Sequence, residues 1–291
     1  MKLLELKIQS SFRVIAIGIA MTCSALALTS HPVLADCQGH DSHQTSSDSS
    51  AHDSHHPSSA SKPQSPEEYA MELKAQRLIN QGLDQIHNGN DQEALKLFSQ
   101  ALEVVPTHEI AHTYRGNLQR RMGDYKAAVA SYTEALKSNP TFSYLYNSRG
   151  AVREQTGNDK GAFSDYTQAI ELYPEDGIGY NNRGRLNLKL GKNQSAMEDF
   201  NKAIESNSGY AAAYAGRAEL RLQLKDMQGA MADFNQAIKL NPALAAVYVR
   251  RADLRTQLGD REGAASDLQF AKKLEQERQS HQATATGILI D

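Results

Sequence analysis

From residue 67 onward, small and apolar positions recur at helical spacing, in blocks that come in pairs. Residues 177–210 display the pattern clearly. Tyr180, Gly184 and Asn187 are spaced four and three apart, as are Ala196, Phe200 and Ala203, so each set shares one helical face. Gly191 falls between the sets, where a glycine in the left-handed conformation ends a helix. The small residues Gly184 and Ala196 let the two predicted helices approach, and Phe200 fills the space between them and the next pair. Upstream, Ser65-Pro66-Glu67-Glu68 reads as a helix start: an N-cap, a first-turn proline and two acids at the positive helix end.

The same arrangement returns every 34 residues. Ala94, Ala128, Ala162, Ala196, Ala230 and Ala264 hold the period, as do Ala101, Ala135, Ala169, Ala203, Ala237 and Ala271. Gly89, Gly123, Gly157, Gly191 and Gly259 hold it with Lys225 as the exception, and Pro106, Pro140, Pro174 and Pro242 with Ser208. Six hairpins are predicted, at 75–108, 109–142, 143–176, 177–210, 211–244 and 245–278. One hairpin cannot bury both faces, so stability must come from stacking neighbours. Small residues at positions 8, 20 and 27, an aromatic at 24 and proline at 32 of each unit resemble the tetratricopeptide repeat. The resemblance implies an all-α, right-handed superhelical solenoid of six repeats over residues 67–278. It also implies a module that binds protein or peptide. Repeat 1 is a divergent cap; repeat 6 carries Gln276 at the proline node, so its last helix is expected to run on as a polar cap, with residues 279–291 frayed.

Position 7 is arginine in five repeats: Arg115, Arg149, Arg183, Arg217 and Arg251. Sixteen residues later stand Asp165, Asp199, Asp233 and Asp267, whereas Gln81, in the arginine's place, is matched by Leu97. The covariation predicts Arg–Asp pairs within each repeat rather than an arginine row for an acidic ligand. Arg115, facing Ser131, is the mismatch.

What the resemblance implies for a ligand is a concave face lined by positions 2, 5, 9 and 12 of the first helices. On this chain the candidates are Asn117, Arg120, Tyr144, Asn147, Asn181, Arg185, Glu219 and Asp253. The asparagines suit an extended peptide, because the amide can bond a backbone at both its ends. Arg120 and Arg185 favour acidic partners mid-groove, and Glu219 and Asp253 the reverse towards the C-terminus. Of the clamp that some family members use for C-terminal carboxylates, only Asn117 fits, so no such clamp is expected.

Composition adds what lies before the repeats. Residues 1–35 combine Lys2, Lys7 and Arg13 with an apolar run and Val33-Leu34-Ala35, the pattern of a cleaved signal peptide. The run falls short of the roughly 20 apolar residues of a membrane span. Export to the periplasm or beyond is therefore expected, with no membrane span after cleavage. Residues 36–66 are rich in Ser and His and have little to bury, so a disordered tail is expected. His40, His43, His52, His55 and His56 lie there and offer weak Zn, Cu or Ni binding. His87, His108 and His112 read as surface or packing residues. A net charge of −3 gives no basic field for nucleic acid. No phosphate loop, nucleophile turn or other catalytic set is visible, and no cofactor is expected. The function read from sequence is a non-enzymatic scaffold of the cell envelope, the alternative being a metal-handling protein whose tail carries the chemistry and whose repeats dock it.

Overall fold

The computed structural model describes residues 65–285, of which 281–285 by backbone alone. The described residues form twelve helices and no strand. In chain order they are α1 (Pro66–His87), α2 (Asp91–Val104), α3 (Glu109–Arg121), α4 (Tyr125–Ser138), α5 (Ser143–Gln155) and α6 (Asp159–Leu172). There follow α7 (Gly177–Lys189), α8 (Asn193–Ser206), α9 (Ala211–Gln223), α10 (Met227–Leu240), α11 (Ala245–Gln257) and α12 (Arg261–Ala285). Each odd-numbered helix pairs with the even one after it, and each pair packs on the next, which makes an all-α solenoid.

Local chemistry sets the boundaries. Ser65 and Glu68 form a reciprocal capping box on α1, with Pro66 at the first turn. Asp124, Asn158, Asp226 and Asp260 cap α4, α6, α10 and α12 through the backbone N–H three residues on. Between the helices of a pair, Gly89, Gly123, Gly157, Gly191 and Gly259 all have φ between 72° and 84°. In repeat 5 Lys225 takes the same conformation, at φ 63°.

The proline node is a stop signal with an understudy. Repeat 4 has Ser208 there, yet α8 still ends at Ser206. Asn207 turns the chain by accepting the Gly209 N–H on its own side chain at 2.9 Å. Asn241 does the same for Ala243. Repeat 6 has neither device at Glu275–Gln276, and α12 runs on to Ala285, past the expected frayed boundary.

The core is a row of rings. Phe98, Tyr132, Tyr166, Phe200 and Phe234, all at position 24, are no more than 1% exposed. Each such ring contributes about 3 kcal/mol or more by burial. The glycines explain the fit: a Cβ on Gly150 would stand 2.7 Å from the Tyr166 ring. Phe200 lies between Gly184 of its own repeat and Gly216 of the next, where a Cβ would overlap the ring. Leu268, in the last repeat, has no following helix pair and is 48% exposed.

Candidate functional site

A polar ladder fixes the helices that carry the candidate groove. Arg149 donates from Nε and Nη2 to both oxygens of Asp165 at 3.1 and 2.8 Å. Arg183–Asp199, Arg217–Asp233 and Arg251–Asp267 repeat the pair. All four aspartates are buried, and even Arg115 bonds its mismatched partner, Ser131, at 3.1 Å. The remaining Nη1 of each arginine reaches back to the preceding repeat, to Thr133, Thr167, Asn201 and Asn235. A tyrosine at position 4 lies 5.5–5.9 Å from each of these guanidiniums, within cation–π range. The ladder therefore ties helices within and between repeats.

Sequence reasoning missed a second cation on the same acids. Arg153 and Arg221 at position 11 donate to Asp165 and Asp233, Arg255 forms an ion pair with Asp267 at 3.0 Å, and all three donate to the carbonyls of Gly161, Gly229 and Gly263. In repeat 4 the place is taken by Asn187, which bonds Asp199 at 2.9 Å. The signal was present: wherever position 11 is arginine, position 19 is glycine.

The candidate groove residues divide into two groups. Asn147 and Asn181 are 7% and 0% exposed, so they belong to the wall and are closed to a ligand. Asn182 donates to Asn147 at 3.4 Å, which explains why an amide sits there. Asn117, Arg120, Tyr144, Arg185, Glu219 and Asp253 keep accessible surface. The Asn117 carbonyl accepts the Tyr132 and Tyr144 hydroxyls at 2.6 and 3.2 Å. The carbonyl is thereby engaged within the protein, so Asn117 does not offer both ends of its amide to a ligand. Tyr166 likewise donates to Glu154 at 2.9 Å. Tyr114 is buried beside them with no hydrogen-bond partner for its hydroxyl among the described residues. Burial, with Tyr144 adding, pushes its pKa up to about 12.

Further along, repeats 4–6 enclose an open groove of about 670 Å³. Leu188, Leu222 and Met227 form its apolar side, and Gln223, Thr256 and Gln257 its polar rim. On its floor Arg250 holds Glu219 in a bidentate pair, Nε to Oε1 at 2.6 Å and Nη2 to Oε2 at 2.5 Å. The hydrogen bond to Glu219 raises the Arg250 pKa above its ordinary value against the effect of burial. Asp253 stands 3.5 Å from the remaining Nη1. Arg250, Met227, Gln223 and Gln257 were not among the sequence candidates, because they fall outside positions 2, 5, 9 and 12.

His108 and His112 are buried packing residues, not exposed ones. Among the described residues no group of three or more His, Cys, Asp or Glu stands together to hold a metal. His40, His43, His52, His55 and His56 lie outside the described residues, as does the segment 1–35.

Two family models described as tetratricopeptide repeat match the chain, one over residues 110–142 and one over 181–245. No curated protein matches. Among solved structures, the chain is similar to PilF of Pseudomonas aeruginosa, at 23% identity and a TM-score of 0.60, covering 74% of this chain and 99% of that one. It is similar also to a tetratricopeptide repeat protein from Parabacteroides merdae, at 24% identity and a TM-score of 0.58, covering 72% and 87%. PilW, a type IV pilus biogenesis factor, aligns at 16% identity and a TM-score of 0.59, over 66% and 90%. At these identities the likeness is one of fold.

Proposed function

As a member of the tetratricopeptide-repeat family, this chain is, we propose, a non-enzymatic scaffold of the bacterial cell envelope that binds a protein or peptide in its concave groove. The observation that carries this is the groove of repeats 4–6. Its apolar wall of Leu188, Leu222 and Met227 lies beside unshielded amides and an ion-paired floor. Such a surface combines anchoring area with directional hydrogen bonds, the two ingredients of peptide recognition. Its helices are held by the arginine ladder, so the groove is preformed and little ordering cost falls on binding. Export is supported by the charged and apolar pattern of residues 1–35. No helix among the described residues is long and apolar enough to cross a membrane.

The test is an affinity capture from the native envelope with the wild-type chain and with Leu222→Asp. That substitution places a charge on the groove wall and leaves the buried ladder intact. A partner held by the wild type and lost from a Leu222→Asp chain with unchanged helical circular dichroism supports the groove reading. A partner held equally by both overturns it. Asn147→Ala and Asn181→Ala would report on folding instead, since both side chains are buried.

A further inference from the structure

We infer that the groove at repeats 5 and 6 seats a basic side chain, lysine or arginine, of an extended partner peptide. This rests on the groove being the binding face and names the chemistry it selects. Arg250 is the one cation among the groove's lining residues. Both oxygens of Glu219 are bound to it, and its third nitrogen faces Asp253. A ligand carboxylate would have to displace Glu219, whose side chain is only 12% exposed, and strand it without a partner. The floor is therefore closed to acids. The charge left over is that of Asp253, which is 53% exposed at the groove's edge.

The apolar wall complements that charge in a specific way. Leu188, Leu222 and Met227 are half-buried and offer room for a stem, not for a compact polar head. Lysine and arginine carry an aliphatic stem and a cationic end, so the stem lies on apolar surface while the charge stays in water beside an acid. A purely apolar anchor would use the wall and ignore Asp253; a small polar residue would use neither. A volume of about 670 Å³ exceeds one side chain and leaves space for flanking backbone against Thr256 and Gln257.

Three probes test this with the full chain: acetyl-(Ala-Lys)3-amide, acetyl-(Ala-Gln)3-amide and acetyl-(Ala-Glu)3-amide. Binding is followed through the NMR methyl signals of Met227, Leu188 and Leu222. The lysine peptide is expected to shift these methyls and to bind about fivefold tighter than the glutamine peptide, a margin that shrinks with salt. Asp253→Lys, an exposed substitution that leaves the core untouched, is expected to reverse the order of lysine and glutamate peptides. Groove shifts with the glutamate peptide as strong as with lysine, or an order unchanged in Asp253→Lys, overturn the charge assignment and leave the groove standing. Lysine-peptide shifts confined to other methyls overturn the site. If none of the three moves a groove methyl, the proposal fails together with the broader reading.

Discussion

Lys225 adopts a backbone conformation that every other repeat with a described turn gives to glycine. The left-handed region costs a residue with a Cβ roughly 1–2 kcal/mol. Part of that is returned in the unfolded chain, where glycine is the more flexible. Lys225→Gly should therefore raise the stability of the chain by about 0.5–1 kcal/mol, read as a higher urea midpoint. A lower midpoint would mean the lysine side chain makes a compensating contact. Asp233 sits at the other extreme. It is buried and accepts from Arg217 Nε and Nη2 and from Arg221 Nη1. Asp233→Asn keeps the shape but leaves two guanidiniums with one neutral acceptor. The expected loss is about 2–4 kcal/mol, below the full cost of a broken buried pair because both arginines retain some water. A loss under about 0.5 kcal/mol would show that the ladder is a surface ornament of the repeats.

Between elements, the junction of α1, α2 and α3 depends on neutral imidazoles. His108 Nδ1 accepts the Ala111 N–H at 3.4 Å and so caps α3, while Nε2 stands 3.2 Å from Glu72 of α1. His112 Nε2 lies 2.8 Å from the Pro106 carbonyl, and its Nδ1 lies 3.3 Å from an Arg115 nitrogen. Each Nδ1 is thus an acceptor facing a donor, and protonation would set donor against donor. Burial lowers both pKa values below the ordinary 6.5, outweighing Glu72 for His108 and, for His112, the Pro106 carbonyl and Glu134. A lowered histidine pKa means that the unfolded chain binds the proton first. The stability these groups contribute is complete above about pH 6.5 and declines as pH falls towards the lowered folded values. The protection factors of α1 and α2 amides, exchange corrected for its base-catalysed intrinsic rate, should fall between pH 7.5 and 5.5, and His108→Asn with His112→Gln should flatten that dependence. Protection that rises as pH falls would reverse the assignment.

The legibility of these elements follows from what repetition can and cannot reveal. Positions with one steric demand in five of the six repeats, the ring at 24 and the left-handed glycine, are readable because those copies state the same constraint. The Arg–Asp pairs were readable because the exception, Gln81 with Leu97, varies in step. The second arginine at position 11 carries a covariation of its own, with Gly161, Gly229 and Gly263, but the acid it shares is already accounted for by the arginine at position 7, so the sequence does not call for a second cation there. The groove was harder. Asn147 and Asn181 looked like ligand contacts because helical spacing gives a direction and no depth. They are buried because neighbouring first helices close over them. Arg250 was invisible for the opposite reason: position 6 holds Tyr114, Ser148, Asn182, Gly216 and Arg250, a column with no common demand.

At the scale of the whole molecule, the ends and the groove complement one another. Repeat 1 presents Arg77 and Asp84 at the seam positions where later repeats bury residues such as Leu145, Leu118 and Leu186. Repeat 6 places Lys272 where Leu102, Leu136 and Ile170 are buried. Polar groups at these seam positions work against further stacking, as in solenoid caps, although Leu268 and Phe270 stay exposed in α12. An apolar surface between them that remains open is the groove wall formed by Leu188, Leu222 and Met227. The most direct test of its role is site-specific photocrosslinking in the native envelope. A benzophenone side chain would be placed at Thr256 on the groove rim, and for comparison at the exposed Glu198 of the outer helix α8. The account predicts a discrete protein adduct from Thr256 and none from Glu198. A discrete adduct from Glu198 with none from Thr256 would contradict it and move the binding surface to the outer helices.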